Sequence, residues 1–285
     1  LCALMVLMPM SGYVDNNETE ATVQSVEADS TGAEEYYALP EKIAEAEYEY
    51  DPSLELQGMR DAKTKSFLNE DGSITQMVAS EPIHYMSADG TWEDIDLNIQ
   101  AYPEGWGVTE NTFTTYFAPE VAGGVMVQAN EFVDPVVSGI NPMLVTLDAT
   151  GSAPEPFITA PSPNSVDVGG NVIRYPLAEG FDLDYEVESN QVKQNLILRE
   201  VPVLPEAAEY FGISEGIRMP AGYALFSGET MLGEEIFKTQ EDLQIRNIET
   251  GELLVEIPAP VILEANAAEP YTGTFFVQVH GPDII

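Results

Sequence analysis

From about residue 60 onward, apolar and polar positions alternate with period two, the mark of strands with one covered face. The stretch "TKSFLNEDGSITQMVAS" predicts two strands around Asp71-Gly72, and "IHYMSADGTWEDIDLNI" predicts two more around Asp89-Gly90. Asp-Gly accepts the positive φ of tight turns, so each pair reads as a hairpin. In the second hairpin Ile95, Leu97 and Ile99 fall on one face, with Asp94, Asp96 and Asn98 on the other. The sharpest alternation is "FDLDYEVE". It sets Phe181, Leu183, Tyr185 and Val187 against Asp182, Asp184, Glu186 and Glu188. "VKQNLILR" follows after a short turn, which brings Lys193 beside Glu186 or Glu188. Such a cross-strand pair contributes a few tenths of a kcal/mol.

Further strands are expected at "GVMVQ", "MLVTLDA", "NVIRYPL", "LQIRNI", "ELLVEIPAPVIL" and "TGTFFVQVHG". Breaks such as "GSAPEPFITAPSPNS" exclude long helices, and "LPEAAEYF" is the one helical candidate in this body. Many short strands without a βαβ rhythm predict an all-β, antiparallel β-sandwich architecture, as one large or two packed units. The expected modules are 56–200 and 201–285, the second continuing into further domains of the same chain after Ile285.

The pattern differs at the start. "LCALMVLMPMSGYV" is too short an apolar run for a bilayer span and is followed by small Ser11 and Gly12. Residues 1–12 therefore read as the rest of an export signal that has lost its basic end. A buried segment is the alternative. No apolar run after it is long enough to cross a membrane. Residues 13–55 are acidic and rich in Ala, Ser and Thr, and read as a solvated linker in which "EKIAEAEYEY" is a transient helix at most. With Cys2 inside the signal, a mature chain would hold no cysteine, which is compatible with export. The expected location is extracellular or at the cell surface.

Charge narrows the partners. The 285 residues hold 49 Asp and Glu against 10 Lys and Arg, a formal charge of −39. Nucleic acid and anionic lipid are recognised mainly through Lys and Arg, so both are excluded as partners. The carboxylate faces of the hairpins have too few cations to pair with and are expected to meet water or cations, with Lys193 and Arg199 the nearest for Asp182, Asp184, Glu186 and Glu188. Calcium takes oxygen ligands of this kind, and the i, i+2 pairs Asp94 with Asp96 and Asp182 with Asp184 are its candidates. Neither "NEDGS" nor "SADGT" fits an EF-hand loop.

No catalytic residue emerges. The two histidines, His84 and His280, sit in strand-like surroundings, and no Gly-x-Ser-x-Gly elbow, zinc spacing or phosphate loop occurs. With 49 acids, a carboxylate pair of glycosidase type carries no information. Aromatic rings could stack on sugars. Trp106, between Gly105 and Gly107, and Tyr102 are the candidate carbohydrate-binding residues.

Three segments in order resemble a known group. "TKSFLNEDGSITQMVASEPIHYMSADGTWEDIDLNI", "IRYPLAEGFDLDYEVESNQVKQNLIL" and "LQIRNIETGELLVEIPAPVILEAN" are similar to the amino-terminal region of large secreted bacterial and archaeal proteins. Those proteins carry rearrangement-hotspot (tyrosine–aspartate) repeats or DNRLRE-type domains. The resemblance implies a β-rich extracellular module without catalytic residues. Typical members carry more Lys and Arg. The function expected is a non-enzymatic structural or adhesive module of a larger surface protein, with cell-surface glycans or other surface proteins as partners. The alternative is a carbohydrate-binding or accessory module of a polysaccharide-degrading enzyme.

Overall fold

A computed structural model describes residues 2–9 (backbone alone), 39, 50–129, 133–148, 154–157, 165–199, 201–263 and 269–280. The alternation becomes antiparallel strands. β1 is Cys2–Pro9. Two hairpins follow, β2 (Thr64–Leu68) with β3 (Ile74–Val78) and β4 (His84–Met86) with β5 (Trp92–Asp94). A meander then runs through β6 (Gln100–Tyr102), β7 (Gly105–Val108), β8 (Thr114–Phe117), β9 (Val125–Gln128) and the long β10 (Val136–Leu147). After β11 (Glu155–Pro156) come β12 (Asp167–Gly169), β13 (Val172–Ala178), β14 (Phe181–Val187) and β15 (Val192–Leu198). The rest of the chain supplies β16 (Tyr210–Arg218), β17 (Tyr223–Ser227), β18 (Thr230–Met231), β19 (Phe237–Thr239) and β20 (Leu243–Asn247). β21 (Leu253–Ile257), β22 (Val261–Ile262), β23 (Tyr271–Thr272) and β24 (Thr274–Val279) complete it. Helical geometry among the described residues is limited to 3-10 turns at Pro52–Leu54, Gln57–Met59 and Val121–Gly123. None is long and apolar enough to cross a membrane.

One ten-stranded sheet is shared by two smaller ones. Its order is β19-β24-β1-β16-β10-β9-β8-β7-β6, with β11 on β10. Over one end lies the sheet β12-β13-β14-β15, where Ile173, Tyr175, Leu183, Tyr185 and Val187 pack on Val108, Phe117, Val125 and Ile213. Over the other lies β18-β17-β20-β21, where Leu225, Leu243 and Ile245 meet Val136, Ile217, Phe275 and Val277. The result is two sandwiches on a common sheet, and β16 pairs with β10 across the expected module boundary at 200/201.

Several local expectations hold because turn chemistry fixed them. Gly72 and Gly90 both stand at φ +83°, as the Asp-Gly hairpins require. Glu186 faces Lys193 across β14 and β15, and the Lys193 ammonium pairs with Glu188.

Others are corrected. "LPEAAEYF" is no helix: the Ala208 amide donates to the Pro205 carbonyl in one turn, and Tyr210 and Phe211 then enter β16. Residues 95–99 do not continue β5, since Asp96 accepts the Asn98 amide and bends the chain there. The linker was expected to reach residue 55, yet Tyr50 stacks on Phe67 at 5.2 Å and Glu55 bridges to Phe67. Residues 13–38 and 40–49 of that linker lie outside the described residues. In the uncleaved chain the apolar start forms β1, an inner strand with neighbours on both sides, and its removal on export stays an expectation. A continuous uncharged apolar run suits such a position, because both of its faces can be covered.

Candidate functional site

The two aspartates of β14 are withdrawn from solvent. Asp182 and Asp184 are 2% and 6% exposed. Arg174 lies directly opposite Asp184 on β13 and grips it in a fork, Nε to Oδ1 at 2.8 Å and Nη2 to Oδ2 at 2.7 Å. Arg199, just past β15, holds Asp182 through Nη2 at 2.5 Å. Of the two expected surroundings, water or cations, these two aspartates meet cations, and the chain supplies them itself. Period two correctly separates the faces but cannot show that guanidinium groups arrive from neighbouring strands. Arg174, Asp182 and Arg199 line a polar groove together with Asp167.

A second cluster ties the amino-terminal turns to both hairpins. Arg60 donates to Glu55 from Nε at 2.6 Å and from Nη2 at 2.9 Å, and to the Trp92 carbonyl from Nη1 at 3.2 Å. Its Nη2 also reaches Asp94 Oδ2 at 3.1 Å, and Lys65 Nζ reaches Asp94 Oδ1 at 2.5 Å. Partial burial pushes the Asp94 carboxyl up, but the Lys65 hydrogen bond and the charges of Lys65 and Arg60 outweigh it. The carboxyl ends below its ordinary range. The Arg60 hydrogen bond likewise lowers Glu55. His84 is fully buried; its Nδ1 lies 2.6 Å from the Asp61 carbonyl, to which only a protonated nitrogen can donate. Its Nε2 lies 3.5 Å from Asp94 Oδ1. The imidazole packs within the hairpin and is not presented to solvent.

The four aspartates named as calcium candidates are thus occupied internally. Asp94, Asp182 and Asp184 accept from cationic side chains, and Asp96 accepts from the Asn98 amide at 2.9 Å and its side chain at 2.6 Å. Among the described residues no three His, Cys, Asp or Glu side chains converge as a metal site.

The aromatic candidates are split by the sheet. Tyr102 pairs with Gly105 and Ala101 with Trp106, so Tyr102 and Trp106 project to opposite faces. Trp106 is half-buried against the core that holds Phe117, not exposed as its flanking glycines suggest. Tyr102 instead meets Tyr116 edge-on, with ring centroids 5.7 Å apart. Gly107 sits beside both rings: a Cβ there would come within 3.0 Å of Tyr116 and 3.4 Å of Tyr102.

The residue that period-two reading missed is Glu215. Along β16 the inward positions read Phe211, Ile213, Glu215 and Ile217, and all four are buried. Gln194 Nε2 donates to Glu215 Oε2 at 2.6 Å, and the Gly139 amide also donates to this carboxyl. Burial pushes the Glu215 carboxyl up to about 7, against the pull of those two donors. Nearby, Tyr185 is 2% exposed and its hydroxyl has no hydrogen-bond partner among the described residues. That hydroxyl lies 2.2 Å from where a Cβ on Gly139 would stand, at φ +66°, so only glycine fits there. A carboxylate at an inward position of an apolar alternation is the signal that identifies this site. It was hidden because Gly212 and Gly216 blur the strand pattern.

Comparison of the chain with family models, with curated proteins and with solved structures gives no match.

Proposed function

We propose that this chain is a non-enzymatic β-module, structural or adhesive, of a larger protein that is secreted or displayed at a cell surface. The observation that carries this reading is where the cations go. Six of the ten Lys and Arg residues (Arg60, Lys65, Arg174, Lys193, Arg199 and Arg246) are engaged in ion pairs within the fold. Lys63 and Lys238 donate to the Ser80 carbonyl and the Tyr210 hydroxyl. Positive charge is spent on joining strands, and the exterior is left to hydrated carboxylates. Such a surface keeps a protein soluble and unassociated where salt screens its self-repulsion.

The likeness to secreted repeat-bearing proteins belongs to the same proposal. Its first segment spans β2 to β5, its second β13 to β15 and its third β20 to β22, so each corresponds to paired strands. The test is expression of the full reading frame in a secreting host, with mass spectrometry of the exported protein. A new amino terminus between about residues 10 and 25 is expected. Protein retained in the cytoplasm with its start intact would refute export.

A second reading, sugar binding, is favoured by one observation: the Tyr102 and Tyr116 rings stand together beside Gly107 near the open β6 edge of the large sheet. Affinity electrophoresis in soluble polysaccharides checks it. Retardation abolished by Tyr102→Ala supports a glycan platform, and unaltered mobility of the parent protein removes it.

A further inference from the structure

The ten-stranded sheet is continuous only through β1. Cys2 to Pro9 pair in antiparallel register with Ile217 to Tyr210 on one side, and Cys2 to Leu7 pair with Val279 to Thr274 on the other. β16 and β24 do not pair with each other, so among the described residues the backbone edges that face β1 have no other strand to satisfy them. Apart from Glu215, which Gln194 and the Gly139 amide already engage, their buried inward side chains are apolar: Phe211, Ile213 and Ile217 on β16, Phe275 and Val277 on β24. The segment that lies between them has no charged residue and is joined to the first described turns by an acidic stretch, residues 10–49.

We propose that the gap between β16 and β24 is a strand-acceptor site for an extended, uncharged, apolar peptide segment, and that residues 2–9 are its ligand in this chain. Recognition is of the β-augmentation kind, doubled: main-chain hydrogen bonds on both sides select an extended backbone, and the apolar row at Ile213, Ile217, Phe275 and Val277 disfavours charge. Release of residues 2–9 exposes two unpaired edges and opens the site to an apolar strand of the same chemistry from another polypeptide. The inference goes beyond the surface-module reading and does not depend on it: residues 2–9 fill the gap in the uncleaved chain, and their removal on export leaves the same gap open to an apolar strand from another polypeptide.

The experiment uses the full chain with a specific protease site placed between residues 20 and 30. After cutting, gel filtration with mass spectrometry should find the amino-terminal piece still bound to the body. A fluorescent peptide of residues 1–12 with a carboxy-terminal Lys tail should then exchange into the cut protein, saturating at one per chain by anisotropy. The same peptide with Val6→Asp, at the register position between Ile213 and Phe275, should bind at least about tenfold more weakly. Separation of the piece on cutting without rebinding of the labelled peptide would overturn the proposal, as would equal binding of the Val6→Asp peptide. In the uncut chain, Val6→Asp should raise amide hydrogen exchange across residues 210–217 and 274–279. Unchanged protection there would also overturn it.

Discussion

Two buried acidic sites in the same sandwich are satisfied in opposite ways. On the outer face of β14, Asp182 and Asp184 each meet a guanidinium. Between the sheets, Glu215 meets neutral donors, the Gln194 amide and the Gly139 N–H. The aspartates keep compensated charge under cover. Glu215 is resolved by its proton instead, since burial raises it to about 7. Burial alone therefore does not decide what a carboxylate does; the charge of the group it meets does.

The most damaging way to break this contrast is to remove a guanidinium. Arg174→Ala leaves Asp184 covered and uncompensated, and should destabilise the fold by about 3–5 kcal/mol in urea unfolding. Arg174→Leu combined with Asp184→Leu should recover most of that loss. A single-variant loss below about 1 kcal/mol would place the pair among ordinary surface contacts.

Next in size, Glu215→Gln keeps the shape and the ability to hydrogen-bond but carries no charge. At pH 8 the variant should be more stable than the parent by up to about 3 kcal/mol, the equivalent of the raised carboxyl. Thermal unfolding checks the sign, and a less stable variant would show that the ionised form is the one the core is built around.

Salt acts on the exterior. Raising sodium chloride from very low to near-molar should raise the melting temperature by screening carboxylate repulsion. With Asp94, Asp96, Asp182 and Asp184 already engaged, calcium at matched ionic strength should add nothing further. An extra rise with calcium would mean that carboxylates converge on the ion after all. The smallest effect is expected at the half-exposed Lys193–Glu188 pair, where Lys193→Ala should cost a few tenths of a kcal/mol.

Much of the fold was legible because local chemistry set it. Asp-Gly turns marked β2–β3 and β4–β5, and strict alternation marked β14 and β15. What the alternation could not convey was what covers each face. "FDLDYEVE" reads as half solvated, but Arg174 and Arg199 come from elsewhere in the sequence to cover its acids. β16 escaped notice because its outer positions include Gly212 and Gly216 and its inner row includes Glu215, so neither face looks like a strand face. Trp106 between glycines suggested exposure, whereas Gly105 at φ +138° turns the chain into β7 and the indole packs toward the core. Tertiary placement overrode local composition in each case.

Stability as a function of pH shows whether the charge of the neighbouring group decides how a buried acid behaves. The Glu215 carboxyl stands at about 7 in the folded chain against an ordinary value of 4.5. Between those values the folded state holds a proton that the unfolded chain has lost. The stabilisation is complete below the unfolded value and disappears as pH rises through about 7. Urea unfolding of the parent and of Glu215→Gln between pH 5 and 8 isolates this contribution. The account predicts that the parent loses stability relative to the variant by up to about 3 kcal/mol across that range, most of it before pH 7.5. Parallel curves, with a constant difference from pH 5 to 8, would contradict it.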